Sequence, residues 1–300
     1  MKIKCGFVAI IGKPNAGKSS LTNAIVNEKV SIVSPKPQTT RNNILGIYNT
    51  DDCQIVFVDT PGLNQTHNGL DDYMQKSIKG AVTDVCAVIL AVDITKGISK
   101  QEIELIDKYH KNSIPVVVAL TKIDLVEDKV VFETLAKNAY LTEKCEIVPV
   151  SSLKHKNVST VVDVVKNFLP VVDESQRYFE EDMYTDKPLR FIVAEVIREK
   201  ALYYLDKEIP HGIAVSVWAF EEEENIINIE ADIVCDKDSH KAIILGKQGS
   251  MLKKIGHSAR VSIQKIVQKK VNLNIFIKVK PNWKNNLEFL SSLGYNINEI

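Results

Sequence analysis

The chain has 300 residues, 45% hydrophobic and 25% charged, which excludes a short disulfide scaffold or a disordered tail and favours two domains over a single core. Basic and acidic residues balance at 38 each, but the balance is uneven along the chain: residues 1–172 carry +2, 173–236 carry −11, 237–284 carry +11 and 285–300 carry −2. The longest apolar run, residues 85–92, is far below the ~20 residues that span a bilayer. Met1 leads through two lysines directly into strand-like sequence without the long apolar segment of a secretory signal, so a cytoplasmic location is expected. The five cysteines, Cys5, Cys53, Cys86, Cys145 and Cys235, include no Cys-x-x-Cys pair and are read as reduced core thiols.

Short Val- and Ile-rich runs at 7–11, 55–58, 85–92, 116–120 and 147–150 alternate with segments of helical period at 18–28, 70–83, 100–112, 130–143 and 158–168. This alternation predicts an α/β fold, a mostly parallel sheet with helices on both faces. The pattern stops near Leu169-Pro170, and 171–189 reads as an acidic, irregular stretch. Beyond it the order changes to a strand at 189–196, a charged helix at 197–207, strands at 212–220 and 226–235, a long helical region, a strand at 272–280 and a short helix at 285–293. The expected division is therefore a first domain at 1–172, a linker at 173–188 and an α+β domain at 189–300.

Gly12, Lys13, Pro14, Asn15, Ala16, Gly17, Lys18 and Ser19 form a Gly-x-x-x-x-Gly-Lys-Ser pattern after a strand and at the head of a helix, the context a phosphate-binding P-loop requires. In that mechanism backbone N–H groups cradle the β-phosphate, Lys18 reaches the β and γ oxygens and acts in catalysis, and Ser19 offers its hydroxyl to Mg2+. A chance match somewhere in 300 residues is about one in a hundred. Asp59, Thr60, Pro61 and Gly62 follow a buried strand, placing a carboxylate to hold the metal through water and a backbone N–H at Gly62 to sense the γ-phosphate. The proline-rich loop around Pro35, Lys36 and Pro37 carries Thr39 and Thr40, and Thr40 is the favoured third metal ligand, present in the triphosphate state alone.

Thr121, Lys122, Ile123 and Asp124 follow the apolar run 116–120 and resemble the motif by which GTPases choose their base. A carboxylate at Asp124 accepts from two guanine N–H groups, whereas adenine would leave it unpaired, so GTP and GDP are the expected ligands. Thr121 stands where asparagine is commoner, which shortens or replaces one amide contact. Lys122 lies along the base in this reading, and Ser151, Ser152 and Leu153 offer a backbone N–H to its carbonyl. Leu63 follows Gly62, so the glutamine that orients water in Ras-like enzymes is missing and hydrolysis is expected to be slow. Asn15 matches an asparagine that coordinates K+ in some related GTPases, which implies K+ as a second cofactor.

Gly246, Lys247, Gln248 and Gly249 separate two helical stretches, with Lys253, Lys254 and Arg260 close by. This Gly-x-x-Gly loop beside a sheet resembles that of a KH domain, where the RNA backbone approaches the glycines and the groove takes about four unstacked bases. The +11 block, in which twelve cations face one acid, fits a polyanion better than a solvated face. Ile243, Ile244 and Leu245 are expected to pack the helix rather than contact bases.

Both halves in this order, with Pro37-Gln-Thr-Thr-Arg41, Arg198-Glu-Lys-Ala, Glu208-Ile-Pro-His211-Gly and Trp283, resemble the bacterial Era family of GTPases over nearly the whole chain. The resemblance implies a P-loop GTPase domain followed by a KH-like RNA-binding domain, acting in small ribosomal subunit assembly near the 3′ end of its rRNA. It also implies a monomer that binds no DNA, with weak peripheral association at the inner membrane face as reported for family members. Two other classes fit the same residues: a nucleotide-independent RNA chaperone, and a related GTPase with another ribosomal or membrane-surface target.

Overall fold

The computed structural model describes residues 1–36, 38–62, 69–81 and 83–295. They form two compact units. The first takes in Met1–Ser31, the described part of 40–65 and Met74–Asp186, and the second takes in Ile32–Thr39, the described part of 66–73 and the chain from Lys187 onward.

The first unit contains, in chain order, β1 (Lys2–Gly12), α1 (Lys18–Val26), β2 (Ile44–Thr50), β3 (Cys53–Asp59), most of α2 (Gly69–Ala81), β4 (Ala87–Asp93), α3 (Lys100–Lys111), β5 (Val116–Thr121), α4 (Asp128–Lys137), β6 (Glu146–Pro149), α5 (Val158–Lys166) and β7 (Val171–Asp173). The strands make one sheet in the order β2-β3-β1-β4-β5-β6, with β7 antiparallel to the start of β1. β1, β3, β4, β5 and β6 are mutually parallel, and β2 is antiparallel to β3. Every residue of β3, β4 and β5 is buried, which explains their unbroken apolar runs: both sheet faces are covered. Val8, Ile10, Phe57 and Val117 pack with Leu21 of α1 and Val161 and Val165 of α5. Ala9, Ile11, Leu90 and Leu120 belong to the opposite core with Ile106 and Tyr109 of α3. Because the strands are parallel, the carboxyl ends of β1, β3, β5 and β6 share one edge, and the strand order reverses beside β1, where α/β sheets bind ligands.

In the second unit α6 (Leu189–Tyr204), β8 (Ala214–Glu222), β9 (Ile226–Cys235), α7 (Asp238–Leu245), α8 (Ser250–Val267), β10 (Lys270–Val279) and α9 (Leu287–Ser292) follow one another. The sheet order is β10-β9-β8, antiparallel between β8 and β9 and parallel between β9 and β10, with a register shift at Trp218. Its core joins Val193, Val196 and Ile197 to Ile229, Ile233, Ile255 and Ile263. The α/β unit followed by an α+β unit is the architecture expected from the sequence.

Three local expectations need correction. Residues 189–196 are not a strand, nor do they end before a separate helix: α6 runs unbroken through them. Their β-branched residues favour a strand locally, but Ile192, Val193, Val196, Ile197 and Ala201 fall at helical spacing and are buried, and that burial decides the outcome. Residues 171–173, expected to be irregular, pair with Lys2, Ile3 and Lys4. β2 was absent from the predicted elements; it is an edge strand with a half-exposed end. The cysteines are free thiols as expected, four of them buried. No helix among the described residues is long and apolar enough to cross a membrane.

Trp283 is fully buried and its indole N–H donates to the Gly212 carbonyl at 3.1 Å. Trp283→Ala leaves a cavity and an unpaired carbonyl, and is expected to cost the second unit about 3–5 kcal/mol. Urea unfolding followed by the fluorescence of Trp218, the other of the two tryptophans, should show that unit melting at lower denaturant.

Candidate nucleotide pocket and nucleic-acid interface

β1 delivers the chain to Gly12, and the loop through Lys13, Pro14, Asn15 and Ala16 turns into α1 at Gly17. The turn is held by the Ala16 N–H on the Lys13 carbonyl at 3.2 Å, with Asn15 in the left-handed region at φ 62°. Lys18 folds back over the loop. Its ammonium is buried and donates to the carbonyls of Gly12 and Lys13, each at 3.1 Å. Burial pulls its pKa down to about 8, against the opposing pull of Asp59. Lys13 reaches outward to the Ser99 hydroxyl at 2.6 Å and to Glu102 at 3.6 Å.

Asp59, at the end of β3, is wholly buried, and among the described residues neither carboxylate oxygen has a hydrogen-bond partner. Burial pushes its carboxyl above the ordinary carboxylate range, and the charge of Lys18 offsets this in part. The hydroxyls of Ser19 and Thr40 lie 2.7 Å apart. Ser19, Thr40 and Asp59 are thus all in the first unit, and their oxygens are those a hard divalent cation takes. Thr60 donates its hydroxyl to the Ile10 carbonyl at 2.8 Å. After Pro61, Gly62 comes so close to the P-loop that a Cβ on it would stand 2.9 Å from the Pro14 Cα, so only glycine fits there. Leu63, where the water-orienting glutamine is missing, lies outside the described residues.

β5 and β6 lead into the residues expected to select the base. The Thr121 hydroxyl lies 2.7 Å from the Ala16 carbonyl and 3.1 Å from that of Val92, so threonine keeps a contact to the P-loop backbone. Lys122, at φ 63°, donates to Asp93 at 2.7 Å. Asp93 also accepts from the Thr95 hydroxyl and N–H, at 2.7 and 3.1 Å. Sequence reasoning missed Asp93; its signal was a carboxylate at the end of the buried β4, in register with Thr121. Ile123 is buried beneath the loop. The exposed Asp124 accepts from the buried Ser151 hydroxyl at 2.5 Å, and the Ser151 hydroxyl oxygen accepts the Lys154 N–H at 3.1 Å. Ser152 is half-buried and Leu153 exposed. Sheet order thus gathers motifs more than 100 residues apart.

In the second unit, Gly246 ends α7 at φ 70° and Gly249 starts α8 at φ 77°, with Gln248 between them at φ 53°. A Cβ on Gly246 would lie 2.7 Å from the Met251 Cβ, whereas one on Gly249 would meet nothing within 4 Å. Lys247, Lys253, Lys254 and Arg260 are exposed, and the Lys254 ammonium sits 4.6 Å from the Tyr204 ring centroid. Ile244 is buried as expected, but Ile243 and Leu245 are half-exposed, at 50% and 41%. An eight-residue helix has one face for the core, and these two side chains fall outside it.

A family described as 50S ribosome-binding GTPase matches residues 7–122, and one described as KH domain matches 208–284. The chain is 45% identical over 295 residues to the GTPase Era of Clostridium tetani, covering 97% of this chain and 99% of that one. It is 39% identical to the GTPase Era of Ruminiclostridium cellulolyticum over the full length of both. Among solved structures, Era in complex with MgGDPNP and nucleotides 1506–1542 of 16S ribosomal RNA matches with a TM-score of 0.90 and 36% identity, covering 98% of this chain and 99% of that one. An Aquifex aeolicus Era variant bound to GDP and AlF4− matches with the same score and identity. With that identity sustained end to end, the chain is a GTPase and belongs to the Era family.

Proposed function

We propose that the chain is a GTP-hydrolysing switch that binds the 3′ end of small-subunit rRNA and assists assembly of the small ribosomal subunit. The observation that carries this reading is one chain holding both a P-loop joined to an Asp124–Ser151 base pocket and a glycine loop flanked by exposed cations. An Era of known structure binds MgGDPNP and a 16S rRNA fragment, which supports the same pairing here.

In this reading the backbone from Gly12 to Ser19 holds the β-phosphate, and Lys18 exchanges its two carbonyl partners for phosphate oxygens. Asp124 accepts from guanine, oriented by the Ser151 hydroxyl, while the Ser152 and Leu153 backbone meets the base carbonyl. Ser19, Thr40 and Asp59 would hold Mg2+, which when bound supplies positive charge against the phosphates. The unpartnered Asp59 carboxylate fits that role. The Gly62 N–H, held beside Pro14, senses the terminal phosphate. Water is placed by backbone rather than by a side chain, consistent with slow turnover. Gly246 to Gly249 would admit the RNA backbone, with Lys247, Lys253, Lys254 and Arg260 meeting phosphates.

Asp124→Asn should turn preference from GTP toward xanthosine triphosphate, with GTP affinity falling by several kcal/mol, on the order of an unpaired buried polar group; nucleotide competition binding measures it, and retained GTP selectivity would refute the pocket assignment. A role for Asn15 in holding K+ predicts faster hydrolysis in K+ than in Na+ at equal ionic strength. Equal rates across a range of both salts would remove Asn15 from the mechanism. For RNA, the comparison is binding at one salt concentration of a short single strand copying the 3′ end of small-subunit rRNA, and of its scrambled version, with a GTP analogue and with GDP. Preference for the true sequence with the GTP analogue supports the assembly switch, and Gly249→Asp should remove that binding while leaving GTP affinity intact. Equal binding in all four cases leaves a GTPase with a nonspecific basic domain.

A further inference from the structure

The peptide between Thr39 and Thr40 is where the first crossing from the second unit back to the first occurs: Ile32–Thr39 clusters with the second unit and Thr40 with the first. Within the second unit, one arginine holds the end of that segment. Arg198 of α6 is fully buried. Its Nε donates to Glu195 Oε1 at 2.7 Å, its Nη1 lies 3.5 Å from the Gln38 carbonyl, and its Nη2 donates to the Thr39 carbonyl. The neighbouring Glu199 accepts the Val33 N–H at 3.2 Å. Lys36 donates to the Leu205 carbonyl and to Asp206, the latter at 3.1 Å, and Gln38 donates to Asp71 at 2.9 Å. A buried guanidinium is costly unless its planar fork is filled. Here the fork is filled by a carboxylate of its own helix on one side and by two consecutive backbone carbonyls of the loop on the other. Backbone targets fix where the loop runs, whatever its side chains.

We propose that Arg198 is a positioning residue for GTP hydrolysis, contributed by the first helix of the RNA-binding unit. By clamping the carbonyls of Gln38 and Thr39 it sets the backbone from which Thr40 presents its hydroxyl beside Ser19, 2.7 Å away. The proposal rests on the reading of Thr40 as a metal ligand in the GTP state. α6 also packs its Val193, Val196 and Ile197 into the core beneath β8 and β9, which holds Arg198 in place.

The test uses the full-length protein and three variants, Arg198→Lys, Arg198→Met and Lys36→Ala. Four quantities are read: single-turnover GTP hydrolysis against Mg2+ concentration, GDP affinity, the unfolding midpoint, and amide hydrogen exchange over residues 32–40 without nucleotide. Arg198→Met is expected to slow hydrolysis by about two- to thirtyfold, the range of 0.5–2 kcal/mol couplings, to raise the Mg2+ concentration giving half the maximal rate, and to speed exchange at Val33, with GDP affinity nearly unchanged. Arg198→Lys, which keeps the charge and part of the fork, recovers some of the loss. A purely structural role instead lowers the unfolding midpoint and GDP affinity together without moving the Mg2+ dependence, and overturns the proposal. So does a folded Arg198→Met with wild-type hydrolysis. If neither Arg198 variant folds, Lys36→Ala decides, because its ammonium sits near the surface, at 20% exposure: slower hydrolysis with raised Mg2+ demand supports the clamp, and wild-type behaviour overturns it. Absence of Mg2+-dependent hydrolysis in the unaltered protein is a failure of the Thr40 reading itself, distinguishable from normal hydrolysis that the variants leave untouched.

Discussion

The Lys18 ammonium, buried at the head of α1, has as its hydrogen-bond partners the carbonyl oxygens of Gly12 and Lys13, while the carboxylate of Asp59 lies buried and accepts no hydrogen bond from the described residues. Burial drives the two in opposite directions, the lysine down to about 8 and the aspartate above its usual range, so both charged forms are disfavoured by the same dry surroundings. A phosphate beside the lysine and a cation beside the aspartate would each favour the charged form. The sheet that encloses them is therefore built around a deficit. Parallel strands buried on both faces make the dry site, and their shared carboxyl edge concentrates the unbalanced charges at one place.

Thr121 illustrates how the same edge tolerates a change of chemistry. An amide there could bond in two directions at once, whereas a hydroxyl has one proton to give. That hydroxyl lies nearer the Ala16 carbonyl than that of Val92, so the P-loop keeps its tie to β5. Asp124 and the Ser151 whose hydroxyl donates to it are brought together because β5 and β6 are neighbours.

Much of the first unit is legible in the amino-acid sequence because its signals are local. A strand buried on both faces must be apolar throughout, and a phosphate loop must be glycine-rich between strand and helix, so 85–92 and Gly12 to Ser19 announce themselves. β2 does not, because an edge strand carrying Gly46, Asn49 and Thr50 has only one neighbour to reveal it. β7 is three residues long, too short for its two valines to stand out as a strand without the pairing to β1. The first half of α6 misleads for a different reason: propensity and periodicity disagree there, and the contacts that favour periodicity come from β8, β9 and α8, far along the chain. The phosphate-loop and Thr121 to Asp124 motifs stand out in the sequence because each is a short contiguous run after an apolar strand. Arg198 was quoted as part of a family signature, but its partners at Gln38 and Thr39 are about 160 residues away, and no spacing rule connects a helix to two backbone carbonyls.

The two glycines of the loop between α7 and α8 look equivalent in the sequence, and the space around them shows that they are not. Gly246 is hemmed in by Met251, so any side chain there must displace the start of α8. Gly249 faces open space, and its positive φ adds only the modest strain, about 1 kcal/mol, that a non-glycine residue bears there. Alleles at the two codons should accordingly sort into different genetic classes. Changes at Gly246 would behave as heat-sensitive lesions of the whole domain, rescued by chaperones or low temperature. Changes at Gly249 would give separation-of-function alleles, with abundant, folded protein at every temperature and a defect that no gain in stability repairs.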